Sequence, residues 1–145
     1  MEEVRKLFAE RGLRCTKQRL AIYRALAATR SHPTAEELHD IVQHDARGLS
    51  LATVYNTLEA LCDAGLCRRL PVTRGSSRYD ADLHPHLHVV DRESGRYIDV
   101  PDDLGRELLE QIRPEVLEQI EHRLGVRIDR VSLNLLGAVG EHADN

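Results

Sequence analysis

The 145-residue chain contains no tryptophan and a single phenylalanine, and aromatic residues make up 3 % of it. A base-stacking platform for single-stranded nucleic acid needs several exposed rings, so this composition excludes one. The core has to be assembled from Leu, Val, Ile and Ala. Cysteines number three. An odd count cannot close a disulfide framework, and Cys62-x4-Cys67 stands too isolated for a thiolate metal cage, so the thiols are expected to be small buried or half-buried apolar groups in a reducing compartment. No stretch approaches the roughly 20 consecutive apolar residues of a bilayer span. The segment MEEVRKLFAERG is charged, with no apolar signal core. These features point to a cytoplasmic protein without a membrane partner, folded as one ordinary domain or two small ones. Eight histidines are what composition leaves unexplained.

Positive charge is also scarce overall, with a formal net charge of −4. That argues against indiscriminate coating of DNA, which rewards clustered cations. The mean hides a split: residues 1–80 carry 13 Lys and Arg against 10 Asp and Glu, and residues 81–145 carry 7 against 14. A mildly basic half followed by an acidic one suggests two modules with different partners.

Helix signals crowd the basic half. Residues 2–11 read as a helix stopped by Gly12. Thr16 caps a second, whose Leu20, Ile22, Tyr23, Leu26 and Ala27 form a wide apolar stripe. Thr34-Ala-Glu-Glu37 after Pro33 is a capping box opening a third helix, with Leu38, Ile41 and Val42 on its core face. Ser50 caps a fourth, LATVYNTLEALCDAG, with Val54, Leu58 and Leu61 inward and Gly65 at the left-handed stop. LCRRLPV, a turn at Arg74–Ser77, and RYD then make a short hairpin. Several short helices and a hairpin straight after the last is the order of a winged helix-turn-helix, in which the helix before the wing enters the major groove. Tyr55, Asn56 and Thr57 are the expected base readers. Arg14, Lys17, Arg19 and the wing residues Arg68, Arg69, Arg74 and Arg78 are the expected phosphate contacts.

Beyond residue 85 the period changes to two. Segments 86–91 and 96–100 read as an antiparallel hairpin around Arg92–Gly95, and closing it symmetrically sets Asp91 against Arg96, Val89 against Ile98, His88 against Asp99 and Leu87 against Val100. A slip of one residue would scatter both the apolar group and the polar one. Helices follow from Pro101-Asp102 and from Pro114. VRIDRVSLNLL reads as a strand with a bulge or with two buried faces, offering an edge that a two-fold partner can pair. The whole is an α+β chain: a winged-helix DNA-binding domain at 1–82, a small α/β dimerisation and metal-sensing domain at 83–137, and a flexible tail at 138–145.

Alternation along a strand points His86 and His88 the same way, toward Asp99, and only ADLHP separates Asp80 from His86. Two imidazoles and two carboxylates suit a borderline divalent ion such as Fe(II), Mn(II) or Zn(II). His84, in the link, is either a further ligand or a bystander. His39, His44, His122 and His142 fall on helix surfaces or the tail.

Five blocks in order, RGLRCTKQRLAIYRAL, SHPTAEELHDIV, LSLATVYNTLEALCDAGL, SSRYD and HPHLHVV with GRYIDV, resemble the ferric uptake regulator family of metal-dependent repressors. The resemblance implies a homodimer that binds a palindromic operator in double-stranded DNA, with a regulatory metal held by His32, Asp80, His86, His88 and Asp99. His32 comes from the resemblance alone. Aspartate at position 99 resembles the peroxide-responsive branch, in which bound Fe(II) leads to oxidation of a ligand imidazole, here His32 or His86, while Mn(II) does not. Zn(II) is able to occupy such a site in vitro. The family usually also holds a structural zinc in two Cys-x-x-Cys pairs. Here the aligned positions read Asp91-Arg-Glu-Ser94 and Gly137-Ala-Val-Gly140, so no structural zinc is expected. That loss brings in the iron-responsive and haem-responsive branches as alternatives. A small metallohydrolase is the remote one, and an enzyme is not expected.

Overall fold

Three side-chain caps decide where the first helices begin. In the computed structural model, which describes residues 2–44, 48–72 and 75–140, α1 spans Glu2–Glu10, α2 Lys17–Ala28, α3 Ala35–Gln43 and α4 Leu51–Asp63. Thr16 accepts from Arg19 N, Ser50 from Thr53 N, and Thr34 and Glu37 close a reciprocal capping box, each satisfying backbone donors that a helix start leaves unpaired. At its other end α4 stops in a Schellman motif: Leu66 N donates to Leu61 O at 2.8 Å and Gly65 N to Cys62 O at 2.9 Å. Gly65 adopts φ +68°, a left-handed conformation that glycine takes without a Cβ clash. The reversed chain enters an antiparallel hairpin of β1 (Arg68–Leu70) and β2 (Arg78–Asp80), with Arg69 opposite Tyr79.

The chain divides into two compact units, Met1–His84 and Pro85–Asn145. The first is organised around Phe8, Ile22, Leu26, Leu38, Val54, Leu58, Leu61, Leu66 and Tyr79. Phe8 meets Tyr23 edge to face at 5.4 Å between ring centres. Ile41, expected in this core, is exposed: α3 turns only Ala35, Leu38 and Val42 inward. Ala27, also expected in the stripe of α2, faces solvent. Cys15, expected buried, is exposed in the link before Thr16, whereas Cys62 is half-buried and Cys67 buried.

The second unit contains β3 (His88–Asp91), β4 (Tyr97–Asp99), α5 (Asp102–Glu110), α6 (Pro114–Leu124) and β5 (Asn134–Gly137), with sheet order β4-β3-β5. The hairpin register pairs His88 with Asp99, Val89 with Ile98 and Val90 with Tyr97. Three expected strands of this unit are shorter, β4 covering Tyr97–Asp99 where 96–100 was expected. β3 begins at His88 rather than residue 86, and only 134–137 of the long C-terminal segment joins the sheet, parallel to β3. Upstream, Ile128 N donates to the Glu121 carboxylate at 2.6 Å, which takes that N–H away from any ladder. Nor is β5 buried on two faces: Leu135 and Leu136 are exposed. α5 packs on the hairpin at Gly105, whose Cα faces Leu87 and Val100. Pro114 opens α6 and left-handed Gly125 closes it. Among the described residues, no helix is long and apolar enough to cross a membrane.

Asp91 ties this unit together. Its carboxylate accepts from Glu93 N at 3.3 Å, from Ser94 N at 3.2 Å, from the Ser94 hydroxyl and from the backbone N–H of Val139. Arg92 N donates to Gly137 O at 2.8 Å beside it. The β3–β4 turn is thereby fastened to the segment after β5, through the positions aligned with the two cysteine pairs. These donors, the Ser94 hydroxyl first, hold the Asp91 carboxyl below its ordinary value. A carboxylate with a depressed folded pKa stabilises the fold above its unfolded pKa, and that contribution fades as pH falls through the folded value. An Asp91→Ala variant is therefore expected to melt below the parent near neutral pH, with a gap that narrows as pH drops below about 4. Thermal melts across that range check it, and a gap independent of pH would remove the carboxylate from the role.

Candidate functional site

His32 sits in the link between α2 and α3 with φ at 50°, the one positive value at a non-glycine among the described residues. A left-handed histidine costs about 1–2 kcal/mol and persists only where neighbours fix it. Here they do. Thr34 pairs with Arg78 as an isolated antiparallel bridge, and Tyr79 N donates to Pro33 O at 3.1 Å, so the link runs as a third short strand beside β2. The Arg78 guanidinium donates to His32 O at 3.1 Å and to the Glu37 carboxylate at 3.0 Å. Glu37 in turn accepts from Thr34 N at 2.9 Å. The buried His32 imidazole then faces buried Asp80 at the end of β2, with Nε2 3.6 Å from Oδ2. Asp82 N donates to Asp80 Oδ1 at 2.8 Å and orients the carboxylate.

The second unit builds a matching group. His88 opens β3, Asp99 closes β4, and their register sets them opposite each other. His86 precedes the strand, yet its Nε2 lies 3.4 Å from Asp99 Oδ1, and His88 Nε2 lies 3.3 Å from the same oxygen. The two rings meet edge to face at 4.5 Å, and Tyr97 packs against His88 at 5.3 Å. Both imidazoles are largely withdrawn from solvent, at 5 % and 7 % side-chain exposure, while Asp99 keeps 33 %. Two ligands each about 2.1 Å from one ion stand about 3.0 Å apart at a right angle and about 3.4 Å apart at a tetrahedral one. The observed separations lie in that range. Nitrogen and carboxylate donors without thiolate suit a borderline divalent metal, so the residues fit the ion that the sequence implies. His84, whose side chain is 95 % exposed, has Nδ1 3.0 Å from the Asp82 carboxylate.

The residues expected to read DNA divide by helical phase. Tyr55 and Asn56 are on the exposed face of α4, but Thr57 is 4 % exposed. It shares the inward stripe with Val54, Leu58 and Leu61, because positions three and four apart lie on one face. A base-reading role for Thr57 is therefore corrected. The Tyr55 hydroxyl donates to Glu36 at 2.6 Å, which lowers the Glu36 carboxyl and raises the phenol. Arg14, Lys17 and Arg69 are exposed, and Arg19 is half-exposed with its guanidinium on Arg14 O. Arg68 donates to Asp82 O and His84 O, and Arg78 is held on His32 and Glu37. Two wing arginines thus brace the chain around the histidines. Arg74 lies outside the described residues.

Sequence reasoning missed Arg78, Glu37 and Tyr97 as partners of this chemistry. Tyr97 was legible, because it is two residues before Asp99 and so on the same strand face. The double role of Glu37, cap and arginine acceptor, depends on β2 returning to α3, which no local pattern encodes.

Residues 10–127 match the family model described as the ferric uptake regulator family. A peroxide-responsive repressor, PerR, of Staphylococcus saprophyticus is 40 % identical over 88 residues, covering 61 % of this chain and 60 % of that protein, so the match spans less than two thirds of the relative. A solved structure of a zinc-bound manganese uptake regulator superposes with a TM-score of 0.68 at 32 % identity, covering 92 % of this chain and 96 % of that one. The Vibrio cholerae ferric uptake regulator gives 0.71 at 28 % identity, covering 93 % and 98 %.

If Arg78 braces the His32 link, Arg78→Ala removes donors to a carbonyl and a carboxylate and is expected to cost about 1–3 kcal/mol, the lower end reflecting the half-exposed Glu37. Arg78→Lys, which lacks the planar fork, should recover only part. Urea unfolding midpoints of both variants measure this, and a parent-like Arg78→Ala would show that the link holds itself.

Proposed function

Because the chain belongs to the ferric uptake regulator family, we propose that it is a metal-dependent DNA-binding repressor, not an enzyme, whose regulatory ion is Fe(II) or Mn(II) and whose signal is peroxide. Residues 1–82 serve as the winged-helix DNA-binding domain and 83–137 as the dimerisation and sensing domain; the tail expected from 138 is corrected at its start, because Val139 N–H donates to Asp91, and 141–145 lie outside the described residues. The observation that carries the metal reading is the convergence of His86 and His88 on a single Asp99 oxygen. His32 and Asp80 are the remaining ligands of the proposed set. The bound ion would supply a positive centre shared by five ligands and, as Fe(II), an electron donor toward peroxide.

The chain's own residues set the conditions for that. Asp82 orients Asp80, Tyr97 packs on His88, and Arg78 holds the carbonyl of His32. A metal that binds one conformation of the protein more tightly than another favours that conformation, which is how its loss can shift DNA binding. The peroxide branch is supported by the name of the Staphylococcus relative and by aspartate at position 99. A manganese-uptake role is the second reading, favoured by the structural relative that matches 92 % of the chain.

Self-association is supported by the second unit's surface. Leu104, Leu108, Val116, Ile120, Leu124 and Leu136 are all exposed, while Leu87, Val90 and Tyr97 are the apolar side chains it buries among the described residues. A core that thin is marginal for about 60 residues, and a second copy of the chain covers what is left open. The operator is then a palindrome in double-stranded DNA. Asn56, with Tyr55 steadied by Glu36, reads bases, while Arg14, Lys17, Arg19, Arg69 and Arg74 grip phosphates.

Two outcomes are expected. Anaerobic protein titrated with Fe(II) or Mn(II) should shift operator DNA, and Asp99→Ala should lose the metal dependence. Stoichiometric peroxide should add one oxygen to His32 or His86 in the Fe(II) form and none in the Mn(II) form, as read by peptide mass spectrometry. Intact metal-dependent binding by Asp99→Ala overturns the ligand set, and unmodified histidines in the Fe(II) form promote the uptake reading. On the DNA side, Asn56→Ala should cost about 1–3 kcal/mol and relax one operator position, whereas Arg14→Ala should weaken all sequences alike and reduce the salt slope by about 1. Operator-variant titrations at several salt concentrations separate the two effects.

A further inference from the structure

The Schellman motif that ends α4 brings two sulfurs together. Cys62 lies in the last turn of the helix and Cys67 immediately precedes β1; the reversal through left-handed Gly65 returns the chain so that the two Sγ atoms are 3.0 Å apart. Both are free thiols. Cys67 is buried, with its Sγ also 3.8 Å from Leu58 O, whereas Cys62 is half-buried and is the more exposed of the two. A disulfide needs about 2.05 Å between sulfurs, so the two Sγ atoms have about one ångström left to close.

We propose that Cys62 and Cys67 form a dithiol site for hydrogen peroxide or another small hydroperoxide, in which Cys62 is the attacked thiol and Cys67 resolves it to an intramolecular disulfide. In the first step the Cys62 sulfur, having released its proton, attacks one peroxide oxygen. An S–O bond forms, the O–O bond breaks, and the departing oxygen takes up protons and leaves as water (as the alcohol from an alkyl hydroperoxide). In the second step the Cys67 sulfur attacks Cys62: an S–S bond forms, the S–O bond breaks and a water leaves. Two thiols lose two electrons and two protons in total, and hydrogen peroxide gains both pairs to become two waters. The division of roles follows exposure. It agrees with the Cys67 hydrogen bond and the nearby Arg69 favouring a Cys62 thiolate, while the same pair interaction, and then burial, push the Cys67 thiol up. The product ties the end of the proposed recognition helix to the first strand of the wing, and it stands apart from the histidine chemistry, since it needs no metal.

The test uses full-length protein, reduced, desalted and held with Mn(II), then given stoichiometric hydrogen peroxide and alkylated with iodoacetamide. Cleavage after Arg47 and Arg68 leaves Cys62 and Cys67 in one peptide and Cys15 in another. The expected result is a 48–68 peptide two hydrogens lighter than the reduced form and carrying no alkyl group, with alkylation restored by dithiothreitol. Cys67→Ser should instead accumulate a sulfenic acid that dimedone traps on Cys62. Melting curves of both serine variants, Cys62→Ser and Cys67→Ser, verify folding before oxidation. A 48–68 peptide still alkylated on both thiols after peroxide overturns the proposal, as does a linkage from Cys15 to either partner. Trapping on Cys67 in Cys62→Ser, with none on Cys62 in Cys67→Ser, overturns the assignment of roles. None of these outcomes depends on histidine oxidation, which is followed in the same digest.

Discussion

One guanidinium holds together three features of the first unit. Arg78 donates to the carbonyl of a left-handed His32 and to Glu37, and Glu37 simultaneously caps α3 through Thr34 N. The cap fixes where α3 starts, β2 fixes where Arg78 stands, and between them the His32 link has one conformation left. The imidazole therefore reaches Asp80 from a backbone that a free peptide rarely adopts. The capping box on its own is worth about 1 kcal/mol. Coupled to a half-buried arginine, it becomes the frame for the His32–Asp80 pair.

The second unit reaches similar order with much less burial. Its hairpin register places His88 against Asp99, and the alternating face that carries them also carries Val90 and Tyr97. Packing of Tyr97 on His88 therefore serves stability and ring orientation at once. The opposite face takes Leu87 and Val100 beneath Gly105 of α5. Most remaining apolar side chains of the helices look outward. A module built this way leaves much of its hydrophobic surface open and commits its few buried polar groups to geometry.

How much of this was legible depended on whether the determinant was local. Thr16, Thr34 with Glu37, Ser50 and Gly65 act within four residues of where they stand, and the structure uses each as a cap or stop. The β3–β4 register followed from the period of two and a central turn. Thr57 was misread because the exposed stretch was taken as contiguous residues, although a helix buries every third or fourth position, and 57 falls in phase with 54, 58 and 61. The extent of β5 depended on Glu121 capturing Ile128 N, a contact across a turn. Arg68 and Arg78 looked like surface charge until their carbonyl acceptors were in view. Of the candidate ligands, His86, His88, Asp99 and Asp80 could be grouped from spacing, whereas His32 lies 48 residues before Asp80, and their pairing depends on the α3 link lying along β2.

The Asp91 turn has one more chemical implication. All three cysteines fall in the first unit and the chain's single methionine is Met1, so residues 85–145 contain no sulfur atom. Where a thiolate cluster would fasten the β3–β4 turn to the segment after β5, a carboxylate and backbone amides do so instead. Such groups lie off the ladder of sulfur oxidation states along which thiolates are lost. The scaffold of the second unit is in this sense corrosion-proof: an oxidant that reaches its histidines can alter them while the fastening beside them stays intact.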